Sequence, residues 1–225
     1  MITKFKIFEA VIQTINFEEY WIIVKEEIFG KSLNATEIKD KLNEIFSEKD
    51  VEFRTYDEFL IKLPSTVDKK TVPPRHANTT TMGIKFGFYD DTYKKCVIII
   101  NENELCLCFS NDNYFNKFKS MSEQILRHEY IHLKQVQKDK RIDYILPDVR
   151  NMKEYLTNQK EMMAWSRSIA DEIKNRPNLK DILSSKSKLT ISPSFCKYIN
   201  YCDDLKIWKK LTKYIYQYLE QDGKL

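Results

Sequence analysis

The sequence predicts an α+β fold: a small antiparallel or mixed sheet packed against two long helices, with further helices at both ends. Three features carry that expectation. Short strand-like runs between 82 and 109 are separated by turn residues; the apolar spacing changes to the helical period after Ser110 and keeps it; and helical spacing also occurs on both flanks. Hydrophobic residues make up 42% and aromatics 13%, with only 4 Gly and 6 Pro, which excludes a disordered or fibrous chain. At 225 residues one domain is expected, with its core over about 82–175 and with 1–64 and 178–225 as additions.

Taken in order, the apolar residues from Phe5 to Val24 favour helix over strand. A clearer helix starts at Thr36, read as an N-cap, and runs through Ile38, Leu42, Ile45 and Phe46. Val51 to Leu63 alternates in part and stops at Pro64, so an extended segment is expected there. Pro73, Pro74 and the threonine run at 79–81 mark a long loop. Strands are predicted at Met82–Tyr89, Lys95–Asn101 and Leu105–Phe109, joined as a meander through Asp90-Asp91-Thr92 and Asn101-Glu102-Asn103. Ser120-x-x-Glu123 has the form of a capping box, which places a helix start just before Ile125 and an end near Lys138. Pro147 interrupts the pattern. Asn158-x-x-Glu161 opens a second long helix that ends before Pro177, and Cys196 to Leu219 reads as one or two packing helices.

Charge and cysteine usage narrow the function classes. The net charge is +4 with both signs interleaved, not the basic stripe of a nucleic-acid binder. The opening residues lack a continuous apolar stretch and meet Glu9 early, and no apolar run approaches the roughly 18 residues of a membrane span, so a cytoplasmic location without a membrane partner is expected. Five cysteines among apolar neighbours fit reduced thiols; Cys106 and Cys108 would share one face of the expected strand.

The chemistry concentrates in Arg127-His128-Glu129-Tyr130-Ile131-His132. Residues i and i+4 of a helix lie about 40° apart around its axis, so His128 and His132 project together and can grip one metal ion. Glu129 sits to the side, where a carboxylate can act as general base. The plain alternative is two ordinary helix-face histidines with Glu129 in solvent. A catalytic zinc takes three protein ligands and keeps one position open, so a third side chain is needed. His76 is the one histidine left of three, and it lies upstream in the Pro-rich loop; no further histidine follows the motif closely. A carboxylate on a later helix is favoured. Glu161 stands 29 residues after His132 with the small Ala164 close behind it; Glu154 and Glu172 compete, and Glu161 also suits a plain capping role.

His128-Glu129-x-x-His132, followed by a helix with Glu161-Met162-Met163-Ala164, resembles the gluzincin branch of zinc metallopeptidases, particularly the small gluzincins of bacteria and phages. The likeness covers roughly Met82 to Ile173 and implies a zincin-like fold, zinc held by His128, His132 and Glu161, and Glu129 as base in hydrolysing a peptide or protein substrate. Where many relatives carry an aspartate one turn after the ligand glutamate, this chain has Trp165. The resemblance further implies an edge strand that pairs with substrate, assigned to Lys95–Asn101 or Leu105–Phe109. Oxyanion donors are sought among Tyr155, Arg167 and His76. The competing class is a non-catalytic zincin-fold binding or structural protein, such as a component of a phage particle, which would place the chain in a host cytoplasm or a virion.

Overall fold

A computed structural model describes residues 17–63, 83–90, 93–138, 152–202 and 204–225. The expected loop over 65–81, His76, Pro147 and the residues before Phe17 lie outside them. The chain is mixed α+β, mostly helical, with a three-stranded mixed sheet, and it divides into two compact units, Met1–Leu133 and Lys134–Leu225.

In the first unit the strands are β1 (Val51–Arg54), β2 (Ile84–Asp90) and β3 (Lys95–Ile100), in the order β1-β3-β2. β3 reads Lys-Cys-Val-Ile-Ile-Ile, and every residue after the lysine is buried. A strand apolar on both faces belongs in the middle of a sheet, and β3 takes that place. It pairs in parallel with β1 (Val51 opposite Cys96) and antiparallel with β2 (Asp90 opposite Lys95). The expected substrate-pairing strand at Lys95–Asn101 is therefore corrected: it is central, and the edges among the described residues are β1 and β2.

Helices α1 (Glu18–Glu27) and α2 (Ala35–Ile45) precede the sheet. The cap of α2 is Asn34 and not Thr36, because Asn34 and Glu37 exchange side-chain and backbone hydrogen bonds as a full capping box. A second capping box, Thr55 with Glu58, turns the expected extended segment after β1 into α3 (Tyr56–Lys62). The supposed strand Leu105–Phe109 is also corrected, since it lies almost wholly in α4 (Glu102–Cys108). Glu102 and Glu104 occupy its first turn, where carboxylates favour the helix dipole, and Leu105 and Cys108 bury together at helical spacing. Cys108 is accordingly buried and Cys106 exposed, so the two do not share a face.

The long helix α5 (Asp112–Lys138) begins well before the predicted Ser120 cap, which falls in its interior. Phe115 and Phe118 extend it backward, because each meets Trp21 edge-on, at 6.2 and 6.1 Å between ring centres. Such pairs add about 0.5–1.5 kcal/mol each beyond the burial of their area. The helix lies tight on β2. A Cβ at Gly87 would come within 2.1 Å of Ile125 Cγ2, so only glycine permits this approach.

In the second unit α6 (Met152–Thr157) leads into α7 (Gln159–Ile173), capped by the Asn158 side chain. Short helices α8 (Leu179–Ile182) and α9 (Lys186–Leu189) follow, then α10 (Pro193–Ile199) and α11 (Leu205–Gln221). α7 is the hub: α6, α10 and α11 all pack on it, which its run of buried Met162, Met163, Ala164, Ile169, Ala170 and Ile173 makes possible. Among the described residues no helix is long and apolar enough to cross a membrane.

Candidate metal centre

The first unit positions His128 and His132 through the side of α5 that packs. Leu126, Tyr130 and Leu133 are buried at helical spacing, and the Tyr130 hydroxyl donates to the Lys49 carbonyl while its ring meets Phe17 at 5.9 Å. These anchors fix the rotation of the helix. With it fixed, the two histidines emerge half-buried on another stripe, their Nε2 atoms 3.3 Å apart and their rings inclined at 69°.

Glu129 is buried, with 7% of its surface exposed. Its charge, after burial itself and together with Asp50, pushes the Cys96 thiol of the central strand well above its ordinary range. The carboxylate thus stands at the margin between the packed core and the histidine stripe.

In the second unit Glu161 occupies the first turn of α7, half-buried, with its Oε2 shut off from solvent. Its charge reaches Tyr198, whose phenol burial drives upward and whose hydroxyl donates to the Leu156 carbonyl at 2.7 Å. One ligand atom each from His128, His132 and Glu161 lie within 4.8 Å of one another. Among the described residues this is the one group of three or more His, Cys, Asp or Glu side chains so placed.

The donor set fits zinc. Two nitrogens bound at about 2.0–2.1 Å on a tetrahedral ion stand about 3.3–3.4 Å apart, and the histidine nitrogens are at 3.3 Å. Two imidazoles and a carboxylate are a set of side chains that could hold a metal ion.

The competing acids are placed differently. Glu172 accepts hydrogen bonds from the Ser192 hydroxyl, the Ser194 hydroxyl and the Ser194 amide at the start of α10, and Glu154 is exposed. Arg167 is corrected as an oxyanion donor. It is buried, bridges Asp171 and Asp222 through four hydrogen bonds of 3.0–3.2 Å, and lies over the Tyr218 ring, so its donors are committed. Tyr155 is half-buried after Glu154 on α6, and His76 is outside the described residues. Two contributors were missed from sequence, Tyr130 as the anchor of the motif and Cys96 as the neighbour of Glu129. The helical recurrence of Leu126, Tyr130 and Leu133 was the available signal for the first; nothing local marked the second.

Compared with family models, curated proteins and solved structures, the chain matches none.

Proposed function

We propose that the chain is a zinc-dependent peptidase with a zincin-like fold of the gluzincin kind, holding zinc through His128, His132 and Glu161. One observation carries this reading: the sole cluster of metal-binding side chains found among the described residues unites both motif histidines with a glutamate on the next long helix. A zinc ion held there supplies Lewis acidity toward a peptide carbonyl and toward water.

The protein's own part is to hold and move a proton. Glu129 takes the proton from the attacking water and passes it to the departing amine nitrogen. Water is thereby added across the C–N bond, giving a carboxylate and an amine, and Glu129 is restored. Its buried position shields that transfer from bulk solvent. The substrate is a peptide or protein, and β2 replaces the central β3 as the strand available for pairing with an extended chain, being an edge strand among the described residues and lying against α5.

The test uses protein purified without added zinc, analysed for metal and assayed on a pool of unstructured peptides by mass spectrometry. The wild type should carry about one zinc per chain, His132→Ala should lose it, and Glu129→Gln should keep the metal while turnover drops at least about 100-fold. Zinc retained by His132→Ala would remove the site. Zinc bound by a wild type that cleaves nothing would instead favour a non-catalytic zincin-fold component, including one of a viral particle.

A further inference from the structure

One turn after Glu161, on the same face of α7, Trp165 stands where the resembling enzymes carry a carboxylate. A four-residue step along a helix advances about 6 Å and rotates only about 40°, so the indole is the next surface beyond the ligand glutamate. Tyr198 backs that indole, with ring centres 6.2 Å apart, and it is the same tyrosine that feels the Glu161 charge. The neighbouring residue on α10, Lys197, lays its ammonium 5.6 Å from the centre of the Trp165 ring.

Lys174 is paired with Asp171, and Lys188 with Asp181. Lys197 contacts an aromatic face, and among the described residues no charged group is found to act on it, only partial desolvation. Its side chain is nevertheless exposed, so a ligand can reach it. An ammonium steadied on an indole, with no carboxylate partner among the described residues, is a ready partner for an incoming anion.

We propose that Lys197, seated on Trp165 beside Glu161, is a specificity-determining residue that recognises an acidic side chain of the peptide substrate. Trp165, one helical turn from Glu161, links that ammonium to the ligand end of α7. The inference rests on the peptidase reading and narrows it to acidic peptides.

Two measurements test it. In the first, matched peptide pairs that differ only by Glu or Gln at each position near the scissile bond are cleaved by zinc-loaded wild type, Lys197→Gln and Lys197→Arg. The wild type should favour Glu at one position by about five- to tenfold in kcat/KM, Lys197→Gln should bring the ratio near one, and Lys197→Arg should restore it. In the second, dye-labelled versions of the same pairs bind to Glu129→Gln and to Glu129→Gln/Lys197→Gln, read by fluorescence anisotropy. The preference should appear in the first protein and vanish in the second. A preference unchanged without Lys197, or absent in the wild type that cleaves peptides, overturns the proposal and leaves the peptidase reading standing. Failure of the wild type to cleave any peptide, with no binding by Glu129→Gln, overturns both.

Discussion

Replacing Gly87 by alanine tests whether the motif helix is seated where the fold places it. The added methyl would stand 2.1 Å from Ile125 Cγ2 and 3.1 Å from the Val97 carbonyl oxygen, against an ordinary contact of 3.4–4 Å. Ile125 cannot swing its Cγ2 aside cheaply, because a β-branched side chain on a helix keeps essentially one χ1 rotamer. The strain must therefore go into moving α5 off β2, and overpacking of this kind costs about 1–3 kcal/mol. Ile125→Ala removes the offending Cγ2 and leaves Cβ at 3.4 Å and the Val97 carbonyl oxygen at 3.1 Å, so Gly87→Ala should cost clearly less in that background than in the wild type. A four-protein double-mutant cycle by urea denaturation, with chelator present throughout so that metal binding adds nothing, measures the coupling. A coupling near zero would show that α5 does not rest on β2 at this point. Since the same helix carries His128 and His132, zinc affinity should fall in Gly87→Ala and recover in the double variant.

Acid sensitivity should trace to Glu52. Burial favours its neutral form but is outweighed by hydrogen bonds from Arg54 and Lys62, which hold its pKa down to about 2 against an ordinary 4.5. The folded value is the lower one, so its contribution to stability is complete above pH 4.5 and disappears as the pH falls toward 2. Glu52→Gln should flatten the dependence of unfolding free energy between pH 5 and 2.5; an unchanged slope would acquit this residue. Thiol labelling should separate the cysteines of α4, Cys106 reacting quickly with iodoacetamide at pH 8 because it is exposed. Cys108 should stay protected, being buried, with burial and the charges of Glu104 and Cys106 pushing its thiol up to about 12. Equal labelling in the folded protein would restore the strand reading of Leu105–Phe109. Arg167→Met should destabilise the second unit by about 3–5 kcal/mol, since it leaves the buried Asp222 carboxylate without the guanidinium that pairs it and leaves Asp171 with Lys174 in place of two cations; a loss under about 1 kcal/mol by thermal unfolding would contradict the buried network.

What could be read from sequence was set by the range of the interactions involved. The α7 start at Asn158, its end before Pro177, and β2 and β3 were legible because their caps, turns and periodicity are local. Leu105-Cys-Leu-Cys-Phe was not, because a short run of five apolar residues satisfies a strand template and a helix template equally. The choice was made by Glu102 and Glu104 upstream and by which of the cysteines found a place inside. The Ser120-x-x-Glu123 pair misled for a similar reason. Its spacing also occurs inside helices, and the true start at Asp112 depends on Phe115 and Phe118 meeting Trp21, about a hundred residues away in sequence. Sheet order was beyond sequence altogether, since the placing of β3 between β1 and β2 rests on a parallel pairing with a strand more than forty residues earlier.

The position of Glu129 explains why glutamine is the informative replacement. At about 100° per residue, Glu129 falls about 60° from His132 and about 40° from Leu133 around the helix, between the ligand stripe and the packed stripe. One neighbour demands a polar group near the histidines; the other demands that it be enclosed, and Glu129 is enclosed. Alanine here would remove the carboxylate and open a void at a buried position, mixing lost packing with lost chemistry. Glutamine keeps the volume and one carbonyl oxygen but cannot accept and return a proton. If Glu129→Gln matches the wild type in zinc content and thermal stability yet hydrolyses nothing, the loss belongs to proton transfer.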